Sequence, residues 1–213
     1  KEYERVQQKP DFSEKFIYFP LHYQPERNSS PQGGVYVDQI LMAETLSVSL
    51  PEGWFIYIKE HPVQWLVRGL AYFSYRFRGY YEALAKLKNV KLVPMKTDTY
   101  KLNKYSHAVA TITGTAGWEA LSRKRPVLAF GYPWYQHCPG LFMINSPDSC
   151  REALGAIAKG FSASTEDILR YLYAVDRASF HAYIDLDGKK VSQLNSEQNA
   201  ANLTREISKI LKA

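Results

Sequence analysis

The chain alternates short apolar runs, each cut off by proline, glycine or a polar cluster, with longer stretches whose apolar residues recur at helical spacing. This alternation restricts the fold more than any other property. A strand buried on both faces reads as an unbroken apolar run, whereas a half-exposed strand alternates apolar with polar. Five runs read as buried strands: Lys15 to Phe19 (KFIYF), Trp54 to Ile58 (WFIYI), Val90 to Pro94, Ala108 to Ile112 (AVATI) and Pro126 to Gly131 (PVLAFG). Between them, Val37, Ile40, Leu41, Glu44, Thr45 and Val48 give a helix with one largely apolar face. Further helices are predicted over Tyr80 to Leu87, Thr97 to Tyr105, Trp118 to Arg123, Ser149 to Lys159, Thr165 to Ala178 and Glu197 to Leu211, with Ser164 and Ser196 as caps for the last two. Strands alternating with helices predict an α/β fold, a doubly wound parallel sheet with helices on both faces. The expected organisation is an extension or linker over 1–14, the sheet domain over 15–160, and C-terminal helices over 161–213 packing on it.

With 213 residues, 46% hydrophobic and 14% aromatic, the chain can bury a sizeable core, which excludes overall disorder. Its apolar runs fall far short of the roughly 18 residues a membrane span needs. The first residues, Lys1-Glu2-Tyr3-Glu4-Arg5, carry neither an initiator Met nor a signal-peptide pattern, so a piece of a longer protein is expected. Cys138 and Cys150 have no CxxC spacing and predict neither a disulfide framework nor a zinc site, which favours a reducing cytoplasm. A net charge of +6 favours anionic partners. Nucleic acid is not expected, because the longest basic run is only Arg123-Lys124-Arg125.

Ligands of such sheets bind beyond the carboxyl ends of the strands, and three polar clusters fall at that edge. The first is Thr113-Gly114-Thr115-Ala116-Gly117-Trp118-Glu119, between a strand and a helix. Two glycines and other small residues, Ala116 among them, let main-chain N–H groups approach a phosphate, and the start of a helix adds partial positive charge. The hydroxyls of Thr113 and Thr115 add donors, and Glu119, expected in the first turn, would accept from ribose hydroxyls. An ordinary turn, in which glycine relieves crowding and Thr caps the helix, has the same composition; this is neither a Walker loop nor GxGxxG.

The second cluster is Lys59-Glu60-His61-Pro62, where a histidine stiffened by proline is placed to support a phosphate as a nucleotide leaves. The third, His22-Tyr23-Gln24-Pro25-Glu26-Arg27-Asn28-Ser29-Ser30, packs acid, base, amide and hydroxyl groups together, and reads either as a site loop or as a solvated one. Asp38 and Gln39 are read as helix caps. Arg76 and Arg78 with Tyr72, Tyr75, Tyr80 and Tyr81 suggest an acceptor-binding or lipid-facing patch, or equally a surface that packs on a further domain. Tyr132, in Gly131-Tyr132-Pro133-Trp134-Tyr135, offers an aromatic wall for a base or sugar, with plain packing as the alternative. No DxD-like cluster appears in these loops, so no metal is expected.

Taken in order, Phe19-Pro20-Leu21-His22-Tyr23-Gln24-Pro25-Glu26, Lys59-Glu60-His61-Pro62, Thr113-Gly114-Thr115-Ala116-Gly117-Trp118-Glu119-Ala120-Leu121 and Pro126-Val127-Leu128-Ala129-Phe130-Gly131 resemble the C-terminal half of bacterial capsule polysaccharide biosynthesis proteins. These are similar to GT-B glycosyltransferases, including β-Kdo transferases that use CMP-Kdo. The resemblance runs from Phe16 to Gly140; beyond Asp148 only helical character matches. It implies a Rossmann-like, nucleotide-sugar-binding half of a GT-B fold. The donor, CMP-Kdo or a UDP-sugar, would be a substrate, with no separate cofactor. A glycan or glycolipid acceptor and an N-terminal domain of the same protein would be the partners, with peripheral attachment at the inner face of the cytoplasmic membrane. By the same resemblance His61, Thr113, Gly114 and Thr115 contact the nucleotide phosphate and Glu119 the ribose. The catalytic base of this architecture usually lies in the N-terminal half, and none is assigned here. A nucleotide-sugar epimerase of the same architecture and a non-catalytic interaction domain of a capsule assembly system are the alternatives.

Overall fold

Each apolar run becomes a strand of one parallel sheet in the computed structural model, which describes residues 2–24, 29–65 and 75–212. In chain order the strands are β1 (Lys15–Pro20), β2 (Trp54–Lys59), β3 (Val90–Leu92), β4 (Ala108–Thr111) and β5 (Val127–Ala129). A sixth, β6 (Leu141–Met143), lies in the short apolar run Leu141 to Ile144 and is not among the five predicted strands; it forms the sheet edge, and its residues are half-buried or exposed. The helices are α1 (Glu2–Val6), α2 (Gln39–Ser47), α3 (Tyr80–Ala85), α4 (Thr99–Tyr105), α5 (Thr115–Leu121), α6 (Pro147–Ala158), α7 (Thr165–Ala178), α8 (Leu186–Val191) and α9 (Ser196–Lys212).

The sheet order is β3-β2-β1-β4-β5-β6. From β1 the chain first winds outward through β2 and β3, then returns to the other side of β1 and winds outward through β4, β5 and β6. β1 pairs with β2 from Lys15↔Trp54 to Pro20↔Lys59, and with β4 at Ile17↔Ala108 and Tyr18↔Val109. The winding direction therefore reverses between β1 and β4, and a crevice opens beyond their carboxyl ends.

Side-chain alternation shows why the runs are unbroken. Ile17, Phe19, Ile56, Ile58, Ala110 and Leu128 enter the main core cluster, and the intervening Phe16, Tyr18, Tyr57, Val109 and Val127 are buried as well. Both faces are thus covered. Met42, Ala43 and Leu46 of α2, Tyr81 and Leu84 of α3, and Leu154 of α6 join the main cluster. Leu102 of α4 and Ala120 and Leu121 of α5 are buried outside it. Residues 2–14, the expected extension, hold α1, whose Tyr3 is buried in the main cluster, and Gln8 N–H donates to Leu92 O at 2.7 Å.

Two local expectations change. α5 starts at Thr115 with Gly114 as its N-cap, three residues before the predicted start, so Glu119 falls in the second turn rather than the first. Asn195 caps α9, its Oδ1 accepting the Gln198 N–H at 2.8 Å; Ser196 is already helical. Ser164 does cap α7, accepting the Asp167 N–H at 3.0 Å. Asp38 caps α2 through the N–H groups of Ile40 and Leu41.

The chain divides into two compact units, Lys1–Ile168 and Leu169–Ala213. In the second, Asn199 pairs with both backbone groups of Tyr183, at 2.8 and 3.0 Å. Among the described residues no helix is long and apolar enough to cross a membrane.

Candidate functional site

A cavity of about 240 Å³ lies at the reversal of winding. Pro20, Leu21, His22 and Tyr23 line it from the end of β1, His61 from the end of β2, and Thr111, Thr113, Gly114, Thr115 and Ala116 from the end of β4 and the start of α5. Three loops that are remote in sequence meet there because parallel strands in register end side by side.

His22 is fixed by the turn it faces. Its Nε2 lies 3.0 Å from the Ile112 N–H and 3.0 Å from Thr111 Oγ1. A backbone N–H can only donate, so Nε2 is the unprotonated nitrogen and Nδ1 carries the hydrogen. Thr111 Oγ1 in turn accepts the Gly114 N–H at 3.0 Å, which ties β4 to the start of α5. Burial, with the neighbouring His61 and Arg76, pushes the His22 pKa down to about 4. The ring is neutral at physiological pH. Gly114 is required here: a Cβ on it would sit 2.9 Å from His22 Cε1 and 3.1 Å from Thr111 Oγ1.

His61 shows the converse arrangement. Its Nδ1 accepts the Val63 N–H at 3.2 Å, which leaves the hydrogen of the neutral ring on Nε2. The ring lies 6.0 Å from that of Tyr23. The cavity is thus lined by two imidazoles whose tautomers are each set by a backbone donor. Neither His22 Nδ1 nor His61 Nε2 has a hydrogen-bond partner among the described residues.

Beneath the histidines lies a buried clamp. Arg76 reaches Glu60 Oε2 through Nε at 2.7 Å and Oε1 through Nη2 at 3.2 Å. The same guanidinium donates to Gln24 Oε1 at 2.7 Å and to His22 O at 2.9 Å. Glu60 accepts the His61 N–H at 2.6 Å and the Tyr81 hydroxyl. Burial opposes the charge on Arg76, but its bonds and charge pairing with Glu60 hold its pKa above the ordinary arginine value. Arg76, paired with Glu60 within the β2–α3 connection, thereby ties that connection to the loop after β1. Gln24 and Gln64 exchange backbone and side-chain bonds at 2.9 Å, and Gln39 accepts the His22 N–H at 2.7 Å, completing the frame.

The sequence candidates therefore separate. His22, His61, Thr113, Gly114, Thr115 and Ala116 share the cavity. Gln24 and Glu60 belong to the frame behind it. Lys59 turns away, donating to Thr97 O and Thr99 Oγ1 at 2.7 Å each, and burial lowers its pKa. Pro62 begins a short 3-10 helix, Pro62–Trp65, and is exposed. Glu119 is exposed and does not line the cavity, a consequence of the earlier start of α5. Tyr132 lines a different cavity. Glu26, with Tyr72, lies outside the described residues. The expected surface patch around Arg76 is corrected: Arg76, Tyr80 and Tyr81 are buried, because Arg76 serves Glu60. Thr111 was missed, although a hydroxyl inside the apolar run AVATI was its signal. Among the described residues no group of three His, Cys, Asp or Glu side chains could hold a metal ion.

Fold and site together define a doubly wound α/β protein with a polar cavity at its switch point. Residues 30–174 match the model of the family described as capsule polysaccharide biosynthesis protein, more than half of the chain, and the chain belongs to that family. No curated protein matches it. Among solved structures, Thermosulfurimonas dismutans KpsC, a β-Kdo 2,7 transferase, aligns with a TM-score of 0.49 at 18% identity, covering 82% of this chain and 59% of that one. The S. aureus MnaA–UDP co-structure aligns at 0.46 and 16% identity, covering 71% and 40%. The UDP-GlcNAc 2-epimerase of Methanocaldococcus jannaschii aligns at 0.47 and 12% identity, covering 83% and 48%. The chain spans about half the length of these structures.

Proposed function

We propose that this chain is the donor-binding half of a GT-B glycosyltransferase that builds capsule or surface polysaccharide, and that the switch-point cavity takes the phosphate of a CMP- or UDP-activated sugar. The observation that carries the reading is the pair of imidazoles, each with one ring nitrogen held by a backbone N–H and the other without a partner among the described residues, on a cavity that also holds Thr113, Thr115 and the start of α5. Hydrogen-bond donors held in place before the reaction stabilise a phosphate oxygen as charge develops on it during departure of the nucleotide. His22 and His61 donate through Nδ1 and Nε2, and Thr115 and Ala116 offer N–H groups without intrahelical partners. The acceptor's proton would go to a carboxylate of an N-terminal domain. The whole enzyme would act in the cytoplasm, at the inner membrane face where a glycolipid acceptor is reached.

An epimerase would need acid and base groups beside the sugar. Among the described lining residues there is no carboxylate, nearby Glu60 is paired with Arg76, and the two imidazoles each have one nitrogen committed to a backbone N–H, which supports transfer over epimerisation. Calorimetric titration with CMP, CDP, UDP and a UDP-sugar tests the reading. One nucleotide binds, and His61→Ala or Thr115→Val each weakens it by about 1 kcal/mol or more. No binding, or binding indifferent to both substitutions, rejects it.

A further inference from the structure

A second cavity, of about 480 Å³, opens at the carboxyl ends of β5 and β6, and its size suits a small molecule. Its lining combines Tyr36, Phe130 and Ile144, which are buried, with Val35, Tyr132 and Met143, which are exposed. Gln136, His137 and Asn145 complete the wall, and among the described residues their side chains have no hydrogen-bond partner.

Glycine allows the loops at the base of this space to pack closely. A Cβ on Gly131 would lie 2.7 Å from Ile112 Cγ2, 2.8 Å from Gln32 O and 3.2 Å from Gly33 Cα; one on Gly33 would lie 2.8 Å from the same Ile112 carbon. The loop after β1 and the loop after β5 therefore close over the Ile112 side chain, and the Tyr132 N–H donates to Gln32 O at 3.2 Å. Ile112 is also the residue whose N–H fixes His22. Among the described residues none lines both cavities, and Ile112, against Gly33 and Gly131 on one side and His22 on the other, stands between them.

The chemistry of the lining selects the occupant. Among the described residues it holds neither carboxylate nor Lys or Arg, so these offer no counter-charge to an ion. A purely apolar ligand would leave the two amides and the imidazole unused. A neutral polyhydroxylated ring uses both kinds of surface, its C–H face on Tyr132 and its hydroxyls on Gln136, His137 and Asn145.

We propose that this second cavity is a sugar-ring subsite, separated by Ile112 from the anion-binding cavity. Its assignment to donor or acceptor rests on the nucleotide reading above; saccharide binding itself does not.

The test uses Tyr132→Ala and Asn145→Ala, both at exposed positions, with three probes: bare UDP and CMP; UDP-GlcNAc and CMP-sialic acid; and a panel of neutral methyl glycosides. Calorimetry and saturation-transfer NMR read each one. A donor sugar in the cavity appears as a loss of about fivefold or more in nucleotide-sugar affinity with bare nucleotide unchanged. An acceptor sugar appears as a similar loss of methyl-glycoside binding with nucleotide sugars unchanged. The proposal is overturned if neither saccharide probe responds, if no probe binds, or if bare nucleotide weakens in parallel, since the cavity would then hold a base. Glycoside binding that needs Tyr132 in a protein blind to every nucleotide would sink the donor-site reading and leave the subsite standing.

Discussion

An imidazole that accepts a backbone N–H cannot take up a proton there without losing that bond, and Ile112 holds His22 in this state. With a folded pKa of about 4 against an ordinary 6.5, the unfolded chain binds the extra proton first. The contribution of His22 is therefore fully present above pH 6.5 and is lost as the pH falls toward 4. The shift corresponds to roughly 3 kcal/mol at about 1.4 kcal/mol per unit. His22→Gln is expected to flatten this part of the urea stability profile; an unchanged pH slope would show that His22 is not the buried neutral group. Gly114→Ala pushes a methyl group onto His22 and Thr111 and is expected to cost about 1–3 kcal/mol in the same assay. A cost below about 0.5 kcal/mol would contradict that crowding. At this scale the sequence showed His22, His61 and the small residues around Gly114, because polar groups at strand ends stand out against apolar runs. It hid the tautomer of His22 and the role of Thr111, which depend on partners about 90 residues away.

The loops after β1 and β2 are joined by the buried Arg76, which is paired with Glu60 and donates to His22 O and Gln24 Oε1. Removing one member of such a pair strands a charge and costs about 3–5 kcal/mol, whereas removing both is far milder. Arg76→Met is accordingly expected to be strongly destabilising, and Arg76→Met combined with Glu60→Gln to recover most of the loss in urea titrations. Equal stability of the single and double variants would show that the pair does not hold the loops. Arg76 looked like a surface group because it stands among tyrosines and another arginine, and nothing local reveals that Glu60 lies under it. The strands were legible, since burial on both faces writes unbroken apolar runs; β6 lies in the run Leu141 to Ile144, but at three residues on the sheet edge it is too short to separate from a loop by pattern. The start of α5 was obscured by Gly114 and Gly117. Glycine weakens a helix signal, yet Gly117 is required, since a Cβ there would strike Tyr135 and Thr111.

For the molecule as a whole, the order β3-β2-β1-β4-β5-β6 brings the loops after β1, β2 and β4 to one place, and the family is one of capsule polysaccharide biosynthesis. The alternation of runs and helices made that architecture readable, while the position of the reversal followed only from the pairing of β1 with β4. The central claim is that this reversal binds the phosphate of a nucleotide. Backbone and imidazole NMR shifts followed during titration with CMP and UDP test it most directly. The account predicts saturable changes confined first to Ile112, Thr113 to Ala116 and the rings of His22 and His61; saturable changes elsewhere, with these signals still, would contradict it.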